Sequence, residues 1–218
     1  ALSSAASDVY KRQIYTLAGY RAGEIQLESL KLLPGTEMRH RADELGIRYS
    51  PLPPYEVLQT GEISVGELQT ARRLSRLLDA FYNTPAWQEL TRELILNDRR
   101  FLYRFLAYLT EANLIDQPMS LERRGLVLYE YCKQYYPDYR TQASIAWIEA
   151  GMSLKKLPAE HVKTKRQIPP EHWEVIYGNY KPELRLCFLP VSTDTEHGYW
   201  FGFESEIQKI APVFKART

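Results

Sequence analysis

The sequence predicts a mainly helical α+β fold, and three observations lead to this prediction. Apolar residues recur with helical spacing between Gly61 and Gly151. Before that region, short apolar runs stop at proline and glycine turns, as strands do. Near the carboxyl terminus, residues 184–189 and 199–203 form two strand-like runs. These shifts divide the chain into four predicted segments: 1–13, 14–60, 61–151 and 152–218.

Composition narrows the class of protein without naming a function. A chain of 218 residues that is 44% hydrophobic can bury a real core. The 28 Lys and Arg residues nearly balance the 27 Asp and Glu residues, so no net field favours nucleic acid or an anionic membrane. Cys132 and Cys187 are too few for a disulfide framework. No apolar run is long enough for a membrane span, and the amino terminus lacks signal-peptide order. We expect a cytoplasmic protein without membrane contact.

The first segment, 1–13, is expected to be non-native. Reverse translation of residues 3–13 matches, in frame, a common transposon-based sequencing adapter. On this interpretation the natural sequence begins near Ile14 and the gene is truncated on its 5′ side. The alternative is a genuine Ser/Ala-rich arm.

The second segment, 14–60, mixes short apolar runs with turn signals. Residues 25–33 alternate in part and stop at Pro34-Gly35, the pattern of a strand that ends in a turn. A short helix over 37–45 is predicted to end at Gly46, because glycine suits the left-handed residue after a helix. Prolines within 50–54 exclude a helix there. Extended pieces are predicted at 47–49 and 55–60.

The third segment, 61–151, has the punctuation of a helical bundle. Ser64 and Glu67 form a capping box, and Thr84 with Pro85 provides an N-cap followed by a proline at the first helical position. Aromatic residues on the apolar faces are interpreted as core rather than as a cofactor site. The predicted helices run from Ser64 to about Tyr82, from Pro85, from Asn97-Asp98, over 120–136, and over 139–149, the last ended by Gly151.

The last segment, 152–218, loosens into a basic linker over 155–166, a short helix over 171–180 and a terminal β-hairpin. The basic residues could contact a phosphate backbone. A solvated linker is the favoured interpretation, because no aromatic residues are interleaved for base stacking. Nucleic-acid binding is therefore not expected.

No catalytic constellation is visible in the residues themselves. The four histidines are never spaced as metal ligands, and no cysteine lies beside one. Nucleophile-elbow, phosphate-loop and dinucleotide-binding motifs are missing from the sequence. We assign no catalytic and no metal-ligating residue on this basis.

Three blocks of sequence nevertheless resemble the end of the barrel in cobalamin-binding-domain radical S-adenosylmethionine (SAM) proteins. They are YRAGEIQLESLKLLPGTEM at 20–38, ADELGI at 42–47 and PPYEVL at 53–58; a fourth block, AFYNT at 80–84, less specifically resembles the helical region that follows the barrel in that family. In that family the run resembling 26–35 is the last barrel strand. The helices that follow resemble its appended C-terminal domain of unknown function. The resemblance thus implies a short α/β remnant of a radical SAM barrel, then a helical bundle and a C-terminal β-hairpin.

The resemblance implies an enzyme whose chemistry lies in the missing amino-terminal part. A Cys-x3-Cys-x2-Cys loop there would hold a four-iron four-sulfur cluster, next to sites for S-adenosylmethionine and cobalamin. The parent would need a reductant and an unknown substrate. This chain alone is expected to be inactive and to bind none of these cofactors. Barrel sites lie at the carboxyl ends of strands, so Leu32, Leu33 and Pro34 are the residues expected to touch the adenosine moiety. A buried final strand without such contact is the alternative.

Two functional hypotheses follow. The first is a fragment of a radical SAM enzyme, and the second is a free-standing helical interaction or scaffold module without a cofactor. The first predicts that residues 26–33 form a strand with an unpaired edge, because its barrel neighbours are missing.

Overall fold

A computed structural model gives the structure of the protein and describes residues 5–159, 162–163, 172, 184–191, 197–204 and 211–218. The chain forms two compact units, Ala1–Met119 and Ser120–Thr218. The fold is mainly helical α+β, as the sequence predicts.

The first unit contains five helices, one π-helical turn and a two-stranded antiparallel sheet among its described residues. They are α1 (Ala5–Gly19), α2 (Glu37–His40), β1 (Arg48–Tyr49), β2 (Val57–Gln59), α3 (Val65–Leu77), the π-helical turn (Leu78–Tyr82), α4 (Pro85–Asn97) and α5 (Phe101–Glu111).

Local capping accounts for the start of α3. The Ser64 hydroxyl accepts from the Glu67 N–H at 3.3 Å, and the Glu67 carboxylate accepts from the Ser64 N–H at 2.9 Å, which confirms the predicted capping box. Pro85 is the first residue of α4, also as predicted. The Thr84 side chain departs from prediction, since its hydroxyl donates to the Asp79 carbonyl at 2.9 Å and caps no helical N–H.

Two predicted helix bounds in this unit are wrong. Asn97 ends α4 instead of starting the next helix, and the Asp98 carboxylate accepts from the Arg100 N–H at 2.8 Å just before α5 begins. Helix α2 stops at His40, and residues 41–46 continue as turns up to Gly46, whose φ is 62°. At both positions, local hydrogen bonds from a side chain or within a turn compete with extension of the helix.

Buried aromatic and aliphatic side chains from α3, the π-helical turn and α5 form a core in this unit. Phe81 and Phe105 meet edge to face with centroids 4.9 Å apart, and Phe101 stacks on Phe105 at 5.5 Å. Leu74 and Leu77 on α3 are also fully buried. The aromatic residues of these helix faces therefore pack as core, as expected from their periodicity.

The predicted strand over 26–33 does not form as a strand. Among the described residues, it pairs with another extended piece only through an isolated antiparallel bridge between Lys31 and Glu56. A ladder needs a partner along its length, and the nearby chain at 55–57 meets this segment at one point only. Burial still alternates along 25–30, which is the pattern of an extended chain.

The second unit pairs two helices with a four-stranded antiparallel sheet of order β3-β4-β5-β6 among the described residues. The predicted hairpin is confirmed as β4 and β5, in register from Arg185 opposite Phe203 to Pro190 opposite Gly198. Gly151 follows the end of the last helix, as predicted, and has φ 72°. The elements are α6 (Leu121–Tyr135), a 3₁₀ turn (Pro137–Tyr139), α7 (Arg140–Glu149), β3 (Val162–Lys163), β4 (Arg185–Pro190), β5 (Gly198–Phe203) and β6 (Phe214–Arg217).

Other predictions for this region are tested only in part. The helix predicted over 171–180 lies outside the described residues except for His172, whose Nδ1 accepts from the Trp200 indole N–H at 3.2 Å. In the basic segment, Lys155 and Lys156 are exposed, and Lys156 forms an ion pair with Glu122 at 2.8 Å. Within the described parts of the chain, every helix is too short or too polar to cross a bilayer.

Candidate functional site at the end of the extended segment

The three residues predicted to contact a cofactor lie in one turn but differ in exposure. Leu32 is 1% exposed and packs with Ala42 and Val57. Leu33 is 51% exposed, and Pro34 is exposed as well. The Leu33 carbonyl accepts from Thr36, at 2.8 Å from its hydroxyl and 3.3 Å from its N–H, so the turn closes on itself. A ligand would therefore meet the side chains of Leu33 and Pro34, while Leu32 anchors the turn in the core.

Arg39 connects this turn to the loop that follows it. Its guanidinium donates to the Leu32 carbonyl at 3.1 Å. The guanidinium carbon lies 5.0 Å from the Tyr49 ring centroid and 4.9 Å from that of Tyr55, both within the range of a cation–π contact. Tyr55 has φ 61°, and its carbonyl accepts from the Leu32 N–H at 2.9 Å. Arg39 thus ties the turn to both aromatic rings.

Arg72 on α3 also binds the extended segment and the chain at 56–57 that pairs with it. It forms an ion pair with Glu56 at 2.8 Å. It also donates to the Ser29 hydroxyl and to the Val57 carbonyl, each at 3.3 Å. One helical side chain therefore binds both extended pieces that meet at the Lys31 bridge.

The extended segment leading to the turn leaves most of its backbone unpaired. Among the described residues, no N–H or C=O of residues 26–29 has a hydrogen-bond partner. The Leu30 carbonyl and the Leu32 N–H face residues 55–57, so the backbone groups of Leu27, Ser29 and Lys31 face the opposite side. Among the described residues that side of the extended segment is unpaired, although folded proteins usually pair or protect such a backbone edge.

Side chains from the π-helical turn, from the residue that follows it and from α4 hold the start of this segment. The Asn83 amide accepts from the Ile25 N–H and donates to the Ile25 carbonyl, both at 2.9 Å, as a neighbouring strand would do. Tyr82 donates to the Ala22 carbonyl at 2.7 Å, and Gln88 to the Gly23 carbonyl at 2.6 Å. The carbonyls of Ala22, Gly23 and Ile25 are thereby all bonded to side chains of this helical region.

A charged cluster flanks the junction between residues 22–25 and the side chains of Tyr82, Asn83 and Gln88. Arg21 has φ 56°, an uncommon conformation outside glycine, and its guanidinium reaches both oxygens of Glu89 at 3.1 Å. Glu89 also binds Arg92, and hydrogen bonding from Arg92 is the main reason that the pKa of Glu89 is lowered. Burial raises the pKa of the nearby Tyr82, which stays a neutral donor at physiological pH.

Residue patterns alone missed Arg39, Tyr82 and Asn83. The available signal was the AFYNT block at 80–84, which the resemblance includes but which gives no partner. Asn83 and Ile25 are 58 residues apart in sequence, and nothing in either local sequence pairs them.

A cavity of about 650 Å³ lies beside the junction, between α1 and residues 25–27. Arg12 and Gln13 form part of its lining. Because these two residues belong to the segment expected to be non-native, the cavity is not interpreted as a site.

The described residues do not fit an iron–sulfur cluster. No three His, Cys, Asp or Glu side chains among them converge as a metal site. Cys132 and Cys187 are buried and are not joined in a disulfide, and burial raises the pKa of the Cys132 thiol to about 12. A cluster needs thiolate ligands, whereas this group is protonated at neutral pH.

Comparison with known proteins yields one family. Neither the curated proteins nor the solved structures contain a significant match to this chain. The sequence model of the family described as "Protein of unknown function (DUF4080)" matches residues 43–155, more than half of the chain. The matched region runs from the turns before β1 to the residues after α7. It includes Arg72, Asn83 and the three tyrosines of the site, Tyr49, Tyr55 and Tyr82. The chain therefore belongs to the DUF4080 family.

Proposed function

We propose that this chain is the C-terminal part of a radical SAM enzyme of the cobalamin-binding type, with residues 14–60 as the end of its barrel. The observation that carries the proposal is the open edge of residues 26–31, which ends at the turn of Leu33 and Pro34. A last barrel strand has a neighbour on each side, and removing those neighbours leaves unpaired backbone of this kind.

The family match supports the same proposal from another direction. It begins at residue 43, inside the blocks that resemble the radical SAM barrel end, and it continues through the helices. Residues 43–60 of the proposed barrel remnant and the helical region are therefore covered by one sequence pattern, which begins after the run at 26–35. The side chains of Asn83, Tyr82 and Gln88 connect the helical region to the chain before this pattern, because they bind the backbone just before the extended segment.

The parent enzyme would supply the four-iron four-sulfur cluster, S-adenosylmethionine and cobalamin, which together generate a radical or transfer a methyl group. Residues of this chain would hold the last strand and its turn in place. Leu33 and Pro34 would offer an apolar contact to the adenosine moiety at the carboxyl end of that strand. The substrate and the cluster's reductant are partners of the parent.

The gene upstream of Ile14 tests the proposal. An adapter-free copy should encode a Cys-x3-Cys-x2-Cys loop preceded by a cobalamin-binding domain. The corresponding longer protein, reconstituted without oxygen, should bind about four irons and form 5′-deoxyadenosine from S-adenosylmethionine with a reductant. A Cys→Ala variant of that loop is the control and should lose both properties.

An upstream sequence without such a loop would overturn the proposal and favour the free-standing interaction module. The same holds for an open reading frame whose initiator lies at about Ile14. In that alternative the basic segment at 155–166 would be the contact surface, and one of its residues, Lys156, pairs with Glu122 within this chain.

A further inference from the structure

We infer that Arg39, together with Tyr49 and Tyr55, forms a binding site for an oxyanion, the carboxylate or phosphate group of a small molecule. The inference concerns side chains of this chain only and does not require the proposed radical chemistry.

The first argument is charge. Arg39 is half-buried, and among the described residues no carboxylate pairs with it. Its neighbours differ in this respect: Arg41 reaches Glu44 at 2.9 Å and Glu37 at 3.6 Å, and Arg72 reaches Glu56 at 2.8 Å. A half-buried cation that lacks an anion retains unused electrostatic attraction, which a bound oxyanion can satisfy.

The second argument is preorganisation. One guanidinium nitrogen is fixed on the Leu32 carbonyl, and the two tyrosine contacts hold the rest of the plane. Within the described structure the other guanidinium N–H groups and both phenol hydroxyls have no hydrogen-bond partner. A guanidinium held in a single orientation loses less entropy when its remaining N–H groups bind a carboxylate or phosphate with two hydrogen bonds.

The third argument is the surroundings. The Leu32 carbonyl that binds Arg39 belongs to the turn in which Leu33 and Pro34 are exposed. An anionic group at Arg39 would therefore have apolar surface beside it. Small organic oxyanions with an apolar portion match this combination better than a free inorganic ion does.

The test uses the 218-residue chain labelled with ¹⁵N and follows the Arg39 Nε–H signal. Sodium acetate and sodium phosphate are titrated separately, at constant ionic strength maintained with sodium chloride. We expect saturable shifts in the millimolar range for at least one of the two anions. Saturation by acetate alone identifies a carboxylate ligand, and saturation by phosphate alone identifies a phosphate ligand.

Three variants make the test specific. Arg39→Lys keeps the charge but loses the planar fork, so affinity should fall about tenfold. Arg39→Gln should abolish saturation. Arg48→Gln is the matched control, because Arg48 is exposed on the adjoining β1 and its side chain has no partner among the described residues, so affinity should stay unchanged.

Three results would overturn the inference: non-saturating shifts in the wild type for both anions, saturation that survives in Arg39→Lys without loss of affinity, or an equal loss in Arg48→Gln. Circular dichroism of each variant shows whether it is folded. If Arg39→Gln unfolds, Arg39→Lys decides the matter. A failed search for the upstream cysteine loop would refute the proposed enzyme but leave this result standing.

Discussion

The strongest test of the junction is Asn83→Ala. The substitution removes both hydrogen bonds to the Ile25 backbone and the one from Asn83 to Asp79, each 2.9 Å long. Ile25 is 2% exposed, so its N–H and C=O cannot easily exchange the lost partner for water. With about 1–1.5 kcal/mol for each backbone bond, the free energy of unfolding should fall by about 2–3 kcal/mol.

Urea unfolding and hydrogen exchange measure the two consequences separately. The unfolding midpoint of Asn83→Ala should fall by about 1 M urea, and the Ile25 amide should exchange faster than in the wild type. Asn83→Asp should be at least as unstable, because a carboxylate cannot donate to the Ile25 carbonyl and would lie near Asp79. Asn97→Ala is the control, since Asn97 is exposed at the end of α4.

A loss below about 0.5 kcal/mol in Asn83→Ala, with Ile25 exchange unchanged, would refute the reasoning. It would mean that the amide does not hold the segment in solution. An equal loss in Asn97→Ala would show that the effect belongs to asparagine replacement in general.

Three further predictions concern other elements. Ser64→Ala removes half of the capping box with Glu67 and should cost about 1 kcal/mol in thermal unfolding; an unchanged midpoint would contradict the box. Gly202→Ala places a Cβ against the Phe214 ring and should cost about 1–3 kcal/mol in urea unfolding, part of which Phe214→Ala added to it should restore; a stable single variant would contradict the packing. Burial raises the folded-state pKa of Cys132 to about 12, above the unfolded value of about 9. The thiol's contribution to the free energy of unfolding is therefore complete below pH 9 and is lost as pH rises towards 12. Near pH 10.5 the loss is about 2 kcal/mol, and the pH profile of unfolding should be flatter in Cys132→Ala; equal slopes would contradict it.

Elements that depend on a few adjacent residues could be predicted from the sequence. Ser64 with Glu67, Pro85 at the start of α4, and the left-handed glycines Gly46 and Gly151 all act within one or two turns of chain. The β4–β5 hairpin followed from two apolar runs separated by a turn cluster. In each case the local signal and the final structure involve the same residues.

Features that depend on distant partners could not be predicted in this way. The segment at 26–33 has the composition of a strand, but a strand requires a ladder, and among the described residues only one bridge forms. The pairing of Asn83 with Ile25 and the position of Arg39 between two tyrosines arise from the fold. The three residues of the predicted site lie in one turn, whereas the side chains that hold this turn in place could not be predicted from the sequence.

The π-helical turn at Leu78–Tyr82 has a consequence for insertions and deletions. It closes with a hydrogen bond from the Asn83 N–H to the Leu78 carbonyl at 2.7 Å, and such a turn contains one residue more than an α-helical turn. Removing one residue from it would turn everything downstream by about 100° relative to α3. Asn83 would then point away from Ile25 although every side chain was still present. Along these five residues, chain length should consequently be under stricter selection than side-chain identity.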